Sequence, residues 1–285
     1  MSSLSFSSNT NTECTYQPYE NCAFTQNNRP SSSATFTSCN FTFLTSTLCG
    51  AAIAFTSAST LTVSKCIFTN CSTTVSCSNS TGGAAIFLRK GTLSVRRSMF
   101  VNCTSKSYGG AIHASGSCTS SSVSFSSFLF CKADHGSAIT TFVGPSSTAI
   151  SNRYISCVAL SFGGAIFHDG NQPDFLSLSD SLFVDNHANC RTNRGGGGIE
   201  DYRRDTYTSK YSFCFFTRNS APNGVGNDIS THTKSQSINN IKYCFTTTVV
   251  NSFWNLTKHA DNWFPSTNMN IEPGQLSSNH IIKSI

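Results

Sequence analysis

Charge is scarce in this 285-residue chain: Asp, Glu, Lys and Arg together make up 11% of it, well below the ~25% of an ordinary soluble domain. Ser and Thr take their place. Short Ser/Thr/Asn-rich segments mixed with β-branched and aromatic residues favour strands and turns over helices. No window carries the sustained i, i+3, i+4, i+7 apolar spacing that a helix needs. No stretch approaches the ~20 apolar residues of a membrane span. The opening Met1-Ser2-Ser3-Leu4-Ser5-Phe6 has neither a basic segment nor an apolar run, so it does not read as a secretory signal. The expectation is a chain that stays inside the cell or is a piece of something longer. The net charge of +6 is modest. Its basic pairs, Arg89-Lys90, Arg96-Arg97 and Arg203-Arg204, are dispersed and read as solvated surface, so no nucleic-acid partner is expected. Disorder is excluded by 23 phenylalanines, whose burial can offset the entropy of ordering.

What the chain does have is a repeat. Gly-Gly-Ala-Ile stands at 109–112 and again at 163–166. Looser copies begin at Gly50, Gly83, Gly136, Gly196 and Gly226. Each ends on an isoleucine: Ile53, Ile86, Ile112, Ile139, Ile166, Ile199 and Ile229. An aromatic anchor precedes each: Phe41, Phe68, Phe100, Phe128, Tyr154, Phe183 and Phe216. Phe41 to Phe216 is 175 residues in six intervals, about 29 residues per repeat. The gap from isoleucine to the next anchor is nearly constant, at 14 to 17 residues, whereas the gap from anchor to isoleucine ranges from 11 to 18. Stacked elements that hold their length while one loop per turn varies are the mark of a solenoid.

Two strand-like pieces fall in each repeat. One alternates before the anchor, as in Leu61, Val63, Cys66 and Phe68. The other follows the glycines, as in Ala85-Ile86-Phe87-Leu88. Short strands at this period with no helical crossover predict an all-β, single-stranded, right-handed parallel β-helix, a pectin-lyase-like solenoid of about seven or eight coils. Leucine-rich repeats would need an L-x-x-L-x-L frame, and the calcium-binding β-roll a Gly-Gly-x-Gly-x-Asp frame; neither is here. The predicted organisation is an irregular N-terminal cap over 1–32, the repeat domain over 33–250, and a C-terminal cap or tail over 251–285 carrying Trp254 and Trp263. Phe87, one step past the isoleucine, is expected to face solvent, and so is His113.

The pairing of GGA(I/L/V) with FxxN resembles the repeat of the chlamydial polymorphic outer membrane proteins, also seen in trichomonad surface proteins. FxxN reads Phe183-Val184-Asp185-Asn186 and Phe216-Thr217-Arg218-Asn219. Elsewhere it drifts to Phe-x-x-Cys, ending at Cys71, Cys103, Cys131 and, after Tyr154, Cys157. The resemblance covers roughly residues 33 to 230. It implies a non-enzymatic β-helix acting in surface adhesion or antigen display, with a glycan or surface protein as partner along one face. Its export signal, barrel and membrane anchor have no counterpart in these residues.

Fourteen cysteines fall in register, one column three residues after the anchor and another, Cys39, Cys66 and Cys214, two before it. No C-x-x-C pair of zinc spacing occurs, and no metal or cofactor is expected. The columns are either a reduced core ladder, because thiols pack as small hydrophobes, or disulfides between coils, whose spacing permits them. Five N-x-S/T sequons, at Asn40, Asn70, Asn79, Asn102 and Asn255, are no more than chance supplies.

Enzymatic β-helices need clustered carboxylates, and a glycosidase needs a carboxylate pair across the scissile bond. With 13 acidic residues in all and no polygalacturonase-type NTD, DD, GHG or RIK element, the chain offers one constellation. His168 and Asp169 follow one Gly-Ile turn, and Glu200 and Asp201 follow the next. His168 and Asp201 share a column, with Asp169 and Glu200 beside them. The quartet reads either as a polar rim or as a cation or sugar-hydroxyl site. A carbohydrate-active lyase or hydrolase is the alternative function, and a remnant of a larger surface protein is a third. Gly195 to Gly198 lacks the Lys-Ser/Thr and the helix of a phosphate loop.

Overall fold

The computed structural model describes residues 18–74, 82–142, 146–170, 176–190, 195–203, 209–222, 227–232, 240–242 and 244–246, with short paired segments at 253–254 and 264–265. It is a parallel β-helix. Three sheets of fifteen, ten and six strands run along the solenoid. Among the described residues no α-helix interrupts them.

The first sheet carries the isoleucine strands and the pre-anchor strands. In two coils these fuse into single strands, Ile86–Arg96 and Ile112–Ser124. The second sheet carries the anchors, and the third the short segments after them, such as Ser72–Thr73 and Thr104–Ser105. The isoleucines at 53, 86, 112, 139, 166, 199 and 229 are register partners from coil to coil. So are the anchors, and Phe24 extends them by one coil toward the N-terminus. Their rings stack with centroids 4.6 to 5.2 Å apart. The rung spacing of a sheet, ~4.8 Å, coincides with the distance at which offset aromatic rings attract, which is why one residue type suits the whole column. In the next coil the register partner of Phe216 is Thr246.

The glycine pair turns the chain out of the third sheet. Gly109 has φ of +57°, and a Cβ on Gly110 would overlap the backbone carbonyls of Ser137 and Lys132 in the neighbouring coil. The first glycine is thus needed for its conformation and the second for close approach.

Two further corners flank each anchor, each entered by a residue in the left-handed region: Lys65, Arg97, Phe125, Ser151 and Asp180 three before the anchor, and Asn70, Asn102, Phe130, Ser156 and Asp185 two after it. Behind each corner lies a column of small polar groups, and here the cysteines find their place. After the anchor, the thiols of Cys71, Cys103, Cys131 and Cys157 point at the carbonyls of Phe41, Phe68, Phe100 and Phe128, 3.6 to 3.8 Å away. Asn186 and Asn219 aim their Nδ2 groups at the equivalent carbonyls of Tyr154 and Phe183, at 3.0 and 3.2 Å. Before the anchor, Ser98, Ser126, Asn152 and Ser181 each accept the backbone N–H of the preceding coil's corner residue, at 2.9 to 3.2 Å. Cys39, Cys66, Cys71, Cys103, Cys118, Cys131, Cys157 and Cys214 are free thiols. Burial pushes the Cys103, Cys131 and Cys157 thiols well up and Cys118 up to about 12, so they are protonated, unreactive core groups.

Among the described residues the first paired strands are Tyr19–Glu20 and Ala23–Phe24, inside the segment read as a cap. At the other end Phe253–Trp254 and Phe264–Pro265 still pair with the preceding coils. Residues 1–17, Trp263 and most of the C-terminal segment lie outside the described residues.

Candidate functional site

The strand after each glycine pair alternates, so the isoleucine faces the interior, the next residue faces out, and the one after faces in again. The outward column reads Phe87, His113, Thr140, Phe167 and Glu200. Contrary to the sequence expectation, these residues do not meet water: Phe87 is 4% exposed and His113 0%. The reason is a second aromatic layer outside the coil. The residue before each first glycine, Tyr108, His135 and Phe162, forms a stacked column of its own. Tyr108 packs 5.5 Å from His113 and 4.9 Å from His135, and Phe142 caps Tyr108 edge-on at 4.7 Å. His135 continues to Phe162 and Phe167 at 5.0 and 5.3 Å. Burial depresses the His113 imidazole to about 3, so it is a neutral packing group. His135 is also held below its ordinary value by burial, which outweighs the opposing pull of Asp134, 3.2 Å from its Nδ1.

At one end of this layer the surface opens into a pocket of about 130 Å³, lined by His135, Phe162, Phe167, Asp169, Glu200 and Tyr202. The quartet His168, Asp169, Glu200 and Asp201 is therefore split by strand alternation. Asp169 and Glu200 project outward into the pocket. His168 and Asp201 are register partners that project inward and are fully buried. His168 Nδ1 lies 2.7 Å from Thr141 Oγ1, and Asp201 Oδ2 accepts the Tyr211 hydroxyl at 2.7 Å. The column the sequence suggested, His168 on Asp201 with Asp169 and Glu200 beside them, is present, but its inner pair is buried in the core while its outer pair lines the pocket.

The corner after the anchor carries a buried polar network as well. Asn186 Nδ2 donates to Asn219 Oδ1 at 2.9 Å, and Asn219 Nδ2 donates to Asp228 Oδ1 at 3.0 Å. Thr246 then donates to the other Asp228 oxygen.

Sequence reasoning missed His135, Phe162, Phe167 and Tyr202. A signal was there: the position before the glycine pair is aromatic or histidine in three successive coils, Tyr108, His135 and Phe162, which is unexpected of a free turn. Among the described residues no group of three or more His, Cys, Asp or Glu is arranged to hold a metal ion. No helix there is long and apolar enough to cross a membrane. Comparison with known protein families, with characterised proteins and with solved structures returned no match.

Proposed function

We propose that this chain is a non-enzymatic recognition module, a surface adhesion or interaction solenoid of the kind its GGAI/FxxN repeats resemble, and that it binds a glycan. The pocket carries this reading. Phe162, Phe167, Tyr202 and His135 give it aromatic walls, and Asp169 and Glu200 add two carboxylates. Aromatic walls take the apolar face of a sugar ring, and carboxylates accept its hydroxyls. Its volume, about 130 Å³, is below the ~300–1,000 Å³ of pockets that enclose larger ligands. It suits one ring of a chain that otherwise runs over the surface. A glycan array followed by titration calorimetry tests the reading: binding should occur and be lost in Tyr202→Ala and in Asp169→Asn. A chain that binds no glycan on the array sinks it.

The carbohydrate-active enzyme is the second reading, and Asp169 with Glu200 is the observation that favours it. In register Glu200 lies opposite Phe167, so the two carboxylate residues are diagonal neighbours, with Cα atoms roughly 8 Å apart. Two carboxylates lining one pocket are the residue type a glycosidase pair requires. The small pocket argues against it, because hydrolysis within a polysaccharide needs a cleft that holds sugars on both sides of the bond. Product release by the wild type that is abolished in Asp169→Asn, Glu200→Gln would establish the enzyme.

A further inference from the structure

Among the described residues, four phenylalanines are exposed: Phe43, Phe125, Phe130 and Phe213, 42 to 74%. All four have positive φ, between 52 and 57°. A bulky side chain in the left-handed region is an outlier, where Asn, Asp or Gly is at ease. Other coils place Asn70, Asn102, Ser151 or Asp185 at the same corners, so the fold does not require phenylalanine there. These rings stand on the two rims of the second sheet. Between the rims, the outward positions beside the anchors are Met99, Val101, Ser127, Leu129, Arg153, Ile155, Leu182 and Val184, apolar except for Ser127 and Arg153. A largely apolar face of this kind marks an interaction surface.

We propose that this face pairs with a second copy of the chain, the two solenoids antiparallel about a two-fold axis that runs along the strands between Phe128 and Tyr154. The charge distribution selects this partner and this orientation. One end of the face carries Lys65, Arg96 and Arg97, and the other carries Asp180 on the same rim. Rotation about that axis keeps each rim opposite itself and reverses the order of coils. Arg97 then faces Asp180 of the other copy. Phe125 faces Ser151 and Phe130 faces Ser156, a ring against a small residue in both cases. In the middle Met99 meets Leu182, Val101 meets Val184, Leu129 meets Ile155, and Ser127 meets Arg153, whose guanidinium reaches past the small hydroxyl toward solvent. The competing arrangement, with the axis along the solenoid, brings Phe125 onto Phe130 and Asp180 against Asp185, a like-charge contact. Asp185 is already engaged by Arg218 at 2.6 Å. An isologous interface must be self-complementary, and only the antiparallel arrangement is.

The rims and six rungs span roughly 24 by 17 Å. That footprint is smaller than the ~800 Å² per partner of a standard interface, so association is weak and reversible. Sedimentation velocity from about 5 to 500 µM should show a monomer–dimer equilibrium. Arg97→Glu and Asp180→Lys should each raise the dissociation constant at least about tenfold. The combined Arg97→Glu, Asp180→Lys variant should return it to within about threefold, because the pair is restored with its signs exchanged. Phe130→Asn should also weaken the dimer while leaving the thermal midpoint unchanged or raised, since Asn suits the left-handed corner. A wild type that stays monomeric throughout overturns the proposal and leaves the face to a partner of another sequence. Single and double charge variants that associate alike overturn the orientation and with it the choice of a second copy.

Discussion

The backbone N–H of Cys157 donates to Oδ1 of Asn186, 3.0 Å away in the next coil. The two residues occupy one corner column, and each sends its own donor to the carbonyl of the anchor one coil back. The drift from FxxN to Phe-x-x-Cys is thus a change of donor, amide to thiol, within a conserved geometry. Cys157→Asn should extend the Asn186–Asn219 ladder and leave stability within about 1 kcal/mol or raise it. Cys157→Val, which keeps the volume but loses the donor, should cost about 1–2 kcal/mol. Urea unfolding under reducing conditions checks both, and equal losses in the two variants would refute the donor role.

The aromatic ladder makes a second prediction. Phe100 stacks between Phe68 and Phe128 at 4.7 and 4.8 Å, so Phe100→Ala should cost on the order of 3–5 kcal/mol. Tyr154 sits in the same column, fully buried, and its hydroxyl, near Asn152, makes no hydrogen bond of good geometry among the described residues. Tyr154→Phe should therefore stabilise the chain by about 1 kcal/mol or more. A loss of stability in that variant would reveal a partner for the hydroxyl.

Burial of His113 predicts a pH dependence. Its folded-state value of about 3 lies below the ordinary ~6.5 of histidine. The unfolded chain therefore takes up a proton that the folded chain refuses. Stability is intact above pH ~6.5 and falls below it, at about 1.4 kcal/mol per pH unit for this one group. His135, also depressed, acts in the same direction. His113→Phe should flatten the slope between pH 6 and 4, whatever it does to stability at neutral pH. A slope unchanged by the substitution would show that His113 is accessible to protons.

The anchor and isoleucine columns were legible because each coil repeats the same local problem, and a position that must stack on itself keeps one residue type. The outer aromatic layer was not. Tyr108, His135 and Phe162 belong to a turn, and Phe142 and Tyr202 to the far end of a strand. They meet only because three coils superpose columns far apart in the repeat. Phe87 and His113 were placed on the correct face, but what covers that face was invisible to alternation alone. The quartet was legible in one respect and not in another. Column neighbours were read correctly, but strand alternation sends His168 and Asp201 inward and Asp169 and Glu200 outward.

That division yields the last prediction. Asp201 accepts the Tyr211 hydroxyl at 2.7 Å in a fully buried setting, whereas Asp169 lines an open pocket. Asp201→Ala leaves a buried hydroxyl without its acceptor and a small cavity behind, so it should cost about 2–4 kcal/mol. Glycan binding by the fraction that remains folded should be unchanged. Asp169→Ala should cost less stability than Asp201→Ala and remove binding. Thermal unfolding and calorimetry on the two variants separate the roles. If Asp201→Ala instead abolished binding at full stability, the inward-facing pair would reach the ligand and the pocket would be misassigned. If Asp169→Ala unfolded the chain, the outer carboxylate would be a structural group, and the glycan reading would lose its polar anchor.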